Sequence, residues 1–394
     1  MAAILSCSIL LSMLTCPGAA LDAGTTASTD VSTTDDQSND RIHYIKIDTD
    51  QTSDCFLIES DGQYMLVDTS NPDLSTGGAQ AIENDDATVN AAIRYLDSLG
   101  ISSLDYVVLT HSHSDHIGGV SRLCEAGFIY SGTTVYYRSD AASMEDIWYP
   151  SWENGLYLRR GLDAITQAGA TAVCLANENI TDLTLTLGDF SIEFLNLDTD
   201  QDGVVDFDAE NENNNSIVLK ITKGSIDTLL AGDIEVEAEQ VLAEQLGPVE
   251  VLKVAHHGNT TSSSYEFLKA LQPETAILTS DGYWQYGAYE YLRYLGSWIY
   301  TTGGCDGDAI VEVVRDDSYD ILHGIAYFTE VSEGWHAWLD HSYYIEHGQV
   351  FRDGWKLIDG DWYYFNQDGI MQTGQLSEHG TIYTFDENGA LIQD

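Results

Sequence analysis

Residues 107–120 read VVLTHSHSDHIGGV, an apolar run that ends in three histidines and an aspartate within six positions, in a chain with only eleven histidines in 394 residues. The segment LDYVVLT (104–110) has the composition of a buried strand, so the cluster lies on the loop that leaves it. His111, His113, Asp115 and His116 follow the spacing H-x-H-x-D-H. Imidazoles two residues apart can converge on one cation from a loop, while the adjacent aspartate and histidine turn to a second. Two cations need further ligands, and the same kind of place supplies them. Asp233 ends the run TLLAGD (228–233), and His256 and His257 end VLKVAHHG (251–258). A lone histidine is ordinarily a surface or core residue, and an aspartate after a strand is ordinarily a cap. Their conjunction at three strand ends points to a metal site.

Outward from the cluster, HYIKI, DCFLIES and QYMLVDTS open a β-meander with Asp61-Gly62 as a turn. ATVNAAIRYLDSLG (87–100) has the helix period and stops at Gly100. Strands TTVYYR, FSIEFLNL, SIVLKIT, DTLLAGD, VEVLKVAHHG and TAILTS follow, with helices over EVEAEQVLAEQLG and SSYEFLKALQ. Runs of strands with interspersed helices predict an α/β body whose helices lie outside a sheet sandwich.

The histidine loop, the AGD strand end and the HHG strand end, in this order, resemble the metallo-β-lactamase fold superfamily over residues 41–332. The resemblance implies an αβ/βα four-layer sandwich with a binuclear site, usually of two zinc ions, at its top edge. By position, His111 and His113 would hold one ion, Asp115 and His116 the other, and Asp233 would bridge them. One histidine of the His256/His257 pair would close the second site, leaving its neighbour to hydrogen-bond the substrate or assist the leaving group. We assign His257 to the ligand and His256 to the catalytic place, although the sequence reads the same the other way round. Asp115 acts at the reacting centre, and Asp68 in LVDTS matches the superfamily's early supporting aspartate. The usual histidine before the bridging aspartate is missing. The segment there is NENNNS (211–216), which leaves Asn213, Asn214, Asn215 or a water in its place. Two cations sharing a hydroxide make the reaction class hydrolysis.

The tail obeys another rule, repeating with a period of twenty from Gly334, Gly354 and Gly374, which sets a domain boundary near residue 332. GWKLIDGDWYYFNQDGIMQTG closely resembles the choline-binding or cell-wall-binding repeat. That resemblance implies β-hairpins whose aromatic residues box a quaternary ammonium. Trp335, Trp355, Trp362, Tyr364, Met371 and Tyr383 match or adjoin the pattern, whereas the third repeat has Gln375 and Ile382 where aromatics belong.

The arrangement NNNSIVLKI, LLAGD, VLKVAHHGN resembles a branch shared by competence-type DNA-uptake proteins and surface phosphorylcholine esterases. A hydrolase domain joined to such repeats most resembles the esterases, which release phosphocholine from teichoic acid by phosphodiester hydrolysis. A competence-type nuclease is the alternative, and a surface binding protein with a relict site a further one. With 64 acidic and 15 basic residues the net charge is −49, which repels phosphate backbones, so no nucleic-acid partner is expected. Loop aromatics Trp148, Trp152 and Trp284 are candidates for a substrate cage. In DTDQDGVVDFDAE (198–210), Asp198, Asp200, Asp202, Val204 through its carbonyl, and Asp206 follow the order of an EF-hand-like calcium loop, with Ala209 at the usual glutamate position. Residues 1–20 read as a signal peptide with an apolar run from Ala2 to Leu14, and residues 21–40 as a disordered Ser/Thr/Asp spacer. The expected location is secreted and cell-wall associated, where Cys55, Cys124, Cys174 and Cys305 are able to form one or two disulfides.

Overall fold

Successive residues of the central strands serve different cores. Phe56 and Ile58 face one side, Leu57 the other; Met65 and Val67 face one side, Leu66 the other; Val108 is flanked by Val107 and Leu109 in the same way. This period of two is the signature of sheets buried on both faces. The structure, a computed structural model, describes residues 40–47, 53–70, 88–138, 154–208, 210–280 and 286–326, and in the tail 333–338, 341–346, 349–367, 369–378 and 381–392. The signal peptide, almost all of the spacer and the cage candidates Trp148, Trp152 and Trp284 lie outside the described residues.

The first sheet is built from β1 (Arg41–Ile45), β2 (Phe56–Ser60), β3 (Gln63–Val67), β4 (Tyr106–Leu109), β5 (Thr134–Tyr137) and β6 (Thr171–Cys174). The second takes β7 (Leu183–Leu187), β8 (Phe190–Leu195), β9 (Val218–Lys223), β10 (Ile226–Leu230), β11 (Val251–Lys253), β12 (Thr275–Leu278) and β13 (Trp298–Thr301). Strands β14 (Ala309–Val314) and β15 (Tyr319–Leu322) return to the first sheet, giving the orders β15-β14-β1-β2-β3-β4-β5-β6 and β13-β12-β11-β10-β9-β8-β7. Pairs β3/β4, β4/β5 and β5/β6 are parallel, as are β10/β11, β11/β12 and β12/β13. The helices are α1 (Thr88–Ser98), α2 (Ser114–Ile117), α3 (Val120–Ala126), α4 (Asn154–Ala168), α5 (Leu175–Glu178), α6 (Val236–Gln245), α7 (Tyr265–Leu271) and α8 (Tyr286–Leu295).

The inner faces of the sheets meet through Ile58, Met65 and Val108 against Ile192, Leu219 and Leu230. Helices α1, α3 and α4 cover the outer face of the first sheet, and α6, α7 and α8 that of the second. The expected αβ/βα sandwich is therefore formed. No disulfide joins Cys55, Cys124, Cys174 and Cys305, which are thiols.

One carboxyl sits inside the sandwich. Glu312 on β14 is fully buried and accepts hydrogen bonds from the Tyr44 hydroxyl (2.9 Å) and the Thr228 hydroxyl (2.6 Å). Burial, more than the nearby Glu250 charge, pushes its pKa up to about 7 against the two hydroxyls that favour the anion. The folded state thus keeps this proton to a higher pH than the unfolded chain. Its contribution to stability is complete below the ordinary glutamate pKa and is lost as pH rises through about 7. Glu312→Gln is expected to remove this loss, on the order of 3 kcal/mol by pH 8, and to flatten the pH dependence between 5 and 8. Urea unfolding across that range checks it; equal slopes in both proteins would refute the assignment.

The tail forms three hairpins, Gly334–Trp338 with His341–Glu346, Gly354–Ile358 with Asp361–Phe365, and Gly374–Glu378 with Thr381–Phe385. The first is docked on the hydrolase body. Tyr343 and Ile345 are buried in the apolar cluster of α7 and α8, and the Arg352 guanidinium lies 3.9 Å from the Tyr294 ring centroid.

Candidate metal centre

Parallel strands that end at one edge bring their following loops together, and that edge is where sites form in α/β sheets. Here β3 delivers Asp68, β4 the histidine loop, β10 Asp233 and β11 the histidine pair. Four groups converge: oxygens of Asp115 and Asp233 and ring nitrogens of His116 and His257 lie within 4.8 Å of one another. His116 Nε2 is 3.1 Å from Asp233 Oδ2, and His257 Nε2 is 3.3 Å from the same oxygen and 3.4 Å from Asp115 Oδ2.

Each imidazole is aimed by its other nitrogen. Asp68 Oδ2 accepts from His116 Nδ1 at 2.7 Å, while Asp68 itself is held by the Thr110 backbone N–H and hydroxyl, both 2.8 Å away. His257 Nδ1 lies 2.9 Å from the Thr279 hydroxyl and 3.1 Å from Asp54 Oδ1. Carboxylates behind ligand imidazoles fix which nitrogen faces a metal.

The histidine pair is separated by its backbone. His256, His257 and Gly258 all have left-handed φ, +50°, +54° and +86°. Such a conformation costs a non-glycine residue ~1–2 kcal/mol and marks sites where orientation matters. Here it turns His257 inward and leaves His256 on the rim, 3.8 Å from Asp233 Oδ2 through Nε2, with Nδ1 3.1 Å from the Thr261 hydroxyl and 3.3 Å from Glu235 Oε1. Burial opposes the Glu235 charge, but bonds from His256, Asn213, Asn211 and Thr261 outweigh it and hold its pKa down at about 2.

His111 and His113 face each other, Nε2 to Nδ1, at 3.0 Å, and burial holds both imidazoles below their usual pKa, hence neutral and ready to donate lone pairs. The asparagines considered for the missing ligand place make other bonds as well. Asn213 donates to Glu235, Asn214 accepts from the Glu235 N–H, and Asn215 donates to Glu212 and to the Asp208 carbonyl. These bonds shape the loop, while Asn213 keeps its Oδ1 buried without a hydrogen-bond partner. The side chain nearest His111 from this segment is Ser216, whose hydroxyl is 3.3 Å from Nδ1, the nitrogen turned away from His113. The four-donor group thus stands beside a pair of facing imidazoles, His111 and His113.

Two charged residues of the centre are silent in the sequence pattern. Lys253, fully buried on β11, places Nζ 3.3 Å from Asp233 Oδ1 and 2.8 Å from the Gly232 carbonyl, and forms a short ion pair with Asp54. By holding Oδ1 it leaves Asp233 Oδ2 for the imidazoles. Asp54 enters just before β2, its carboxyl held well below the usual range because Lys253, His257 and His116 outweigh its burial.

The donors fit a divalent ion. His257 Nε2 is buried without a hydrogen bond, and two carboxylates face it and His116. Burial disfavours charge on His116 and His257, yet Asp233 and its neighbours outweigh this and raise both pKa values well above the ordinary imidazole range. Such a pocket demands positive charge, which a dication satisfies with two imidazoles and two carboxylates.

Elsewhere, Asp198, Asp200 and Asp206 bring carboxylate oxygens within 4.8 Å of one another on a partly exposed loop. Asp202 turns its carboxylate to the Val204 N–H and Asp206 to Thr199, so these groups also serve as turn acceptors. In the tail, Trp335 packs on Tyr344, Tyr363 and Phe365, and Trp355 on Tyr364, Tyr383 and Phe385. Trp362 is 39% exposed, and the backbone of Met371 pairs with that of Phe365 in an isolated antiparallel bridge. Tyr344, Tyr363, Phe365 and Phe385 were not singled out by the repeat pattern, although the twenty-residue period would have found them.

Among curated proteins the chain is 27% identical over 190 residues to ComE operon protein 3 of Bacillus subtilis, covering 48% of this chain and 21% of that protein. It is 29% identical over 205 residues to Competence protein ComA of Neisseria gonorrhoeae, covering 50% and 23%. The chain thus spans about a fifth of the length of these relatives. The solved metallo-beta-lactamase fold protein YhfI from Bacillus subtilis aligns at 15% identity and a TM-score of 0.39, covering 69% of this chain and 97% of that one. The profile of the choline-binding repeat matches residues 353–394. That of the metallo-beta-lactamase superfamily matches residues 48–280, more than half of the chain. With the sandwich and its strand-end donors in place, the chain belongs to the metallo-β-lactamase superfamily and ends in choline-binding repeats.

Proposed function

We propose that the chain is a surface phosphodiesterase that releases phosphocholine from cell-wall teichoic acid or a similar phosphocholine ester. The observation that carries this reading is the union, in one chain, of the candidate hydrolytic centre with choline-binding repeats over residues 353–394, preceded by a hairpin, Gly334–Glu346, that is buried against the hydrolase layer. Repeats of this kind are typical of cell-surface proteins, and among the described residues no helix is long and apolar enough to cross a membrane.

When bound, two divalent ions, zinc by our reading, supply a hydroxide near neutral pH and charge to steady a phosphoryl oxygen. Asp115, His116, Asp233 and His257 would hold one ion, with His111 and His113 offering the weaker place beside it. Asp68 keeps the proton of His116 on Nδ1, so that Nε2 faces inward. His256, on the rim and held at Nδ1 by Glu235 and Thr261, presents Nε2 to a substrate oxygen and can give a proton to the leaving group. The acidic surface suits a polymer whose exposed tips are cationic.

Two relatives bear competence-protein names, a weak pointer to the competence-type alternative, and one experiment separates the two readings. The full chain, assayed for bound metal, is offered p-nitrophenyl phosphocholine and DNA. Hydrolysis of the former alone supports our reading. Cleavage of DNA with inertness toward phosphocholine esters replaces it with the nuclease, and a metal-free, inactive protein leaves only surface binding.

A further inference from the structure

We propose that the tail contains two aromatic boxes of one plan, of which only the second is open to an external quaternary ammonium, because the chain's own Lys356 fills the first. This inference rests on reading the tail as a choline binder.

The boxes are twenty residues apart. Trp335, Tyr344, Tyr363 and Phe365 make the first, and Trp355, Tyr364, Tyr383 and Phe385 the second. The match extends to geometry. Trp335 meets Tyr344 and Tyr363 edge-on at 5.3 and 4.8 Å, and Trp355 meets Tyr364 and Tyr383 edge-on at 5.3 and 4.7 Å. Boxes of this composition attract cations to their ring faces.

The first already has one. Lys356 Nζ lies 5.1 Å from the centroid of Tyr344, one wall of the box, and 4.5 Å from that of Phe351, which stands outside the four but meets Phe365 edge-on at 5.5 Å, and it is pinned there by Glu346 at 2.8 Å. An ammonium tied to the ring faces and to a carboxylate in the same chain competes with a free ligand without the entropy cost of association. One period later every part of this device is missing. Leu376 stands where Lys356 would be, Asn366 replaces Glu346, and Met371 replaces Phe351. Among the described residues no lysine or arginine is placed over a ring of the second box. What the second box has instead is a carboxylate: Glu378 Oε2 accepts from the Trp355 indole N–H at 2.9 Å, which adds negative charge beside the rings.

Choline titration of the full chain, followed by calorimetry and tryptophan fluorescence, tests this in the wild type, Lys356→Gln, Trp355→Ala and Trp335→Ala. The expected stoichiometries are one for the wild type, none for Trp355→Ala, an unchanged one for Trp335→Ala, and two for Lys356→Gln, where Glu346 is left to attract the ligand. Circular dichroism confirms that each variant is folded. A wild type that binds one choline together with a folded Lys356→Gln that still binds one overturns the self-filled box while leaving the choline reading intact. So does loss of binding in Trp335→Ala with retention in Trp355→Ala. No choline bound by any of the four proteins overturns both.

Discussion

Asp233→Asn is expected to lower phosphodiester hydrolysis by ~10³-fold or more and to strip the bound metal, because one carboxylate oxygen serves most of the centre. Oδ2 of Asp233 is within 3.3 Å of both His116 Nε2 and His257 Nε2 and 3.8 Å from His256 Nε2. Asparagine keeps the size of the side chain but removes the charge around which these nitrogens gather. It also leaves Lys253 its other partner, Asp54, so the fold is expected to survive and the loss to be chemical. Elemental analysis alongside turnover of p-nitrophenyl phosphocholine gives the answer. Retention of a tenth of the activity with unchanged metal content would exclude Asp233 as a shared ligand.

What the sequence showed and what it hid follow from how far apart the interacting residues lie. Most central strands were legible because each buries both faces, giving the apolar runs HYIKI, DCFLIES and VLKV that became β1, β2 and β11, although β14, AIVEVV, is buried at every position and went unread. Edge strand β7 escaped, since LTLTL exposes alternate residues and has no apolar run, although its period of two was the available signal. Helices α4 and α8 escaped as well. Both are interrupted by Tyr, Gly and Arg, which masks helix-phased packing such as that of Ala288, Tyr291, Leu292 and Leu295 in α8.

The donors were legible for a different reason. Histidine and aspartate immediately after an apolar strand stand out in one dimension, and the fold needs only to bring strand ends together. Their supports could not stand out. Asp54 precedes its strand, Lys253 lies inside one, and the two meet across 199 residues. The order within the His256/His257 pair was equally hidden, because it is decided by left-handed backbone angles that a sequence pattern does not show. The partners of the asparagine run were hidden for a related cause, because its amide N–H groups donate to Glu235, Glu212 and Asp208, carboxylates that only the fold brings beside it.

The residue on which the centre's stability should depend most is therefore one that the sequence motif omits. Lys253→Met keeps the length and volume of the side chain but leaves Asp54 and Asp233, both essentially inaccessible to solvent, without their cation. The charge of Asp54 is compensated by its ion pairs with Lys253 and His257. Removing one partner of such a buried pair costs ~3–5 kcal/mol, because the remaining charge cannot be resolvated. For a domain of this size that is a fall in Tm of about 10 °C. Adding Asp54→Asn to Lys253→Met removes the stranded charge and should recover much of the loss, since replacing both members of a buried pair is far milder than breaking it. Differential scanning calorimetry of the single and double variants, each with metal and with chelator, measures both effects. A single variant within about 2 °C of the wild type under chelator would mean that the protons on His116 and His257 balance the carboxylates unaided, and that Lys253 does not hold the centre together.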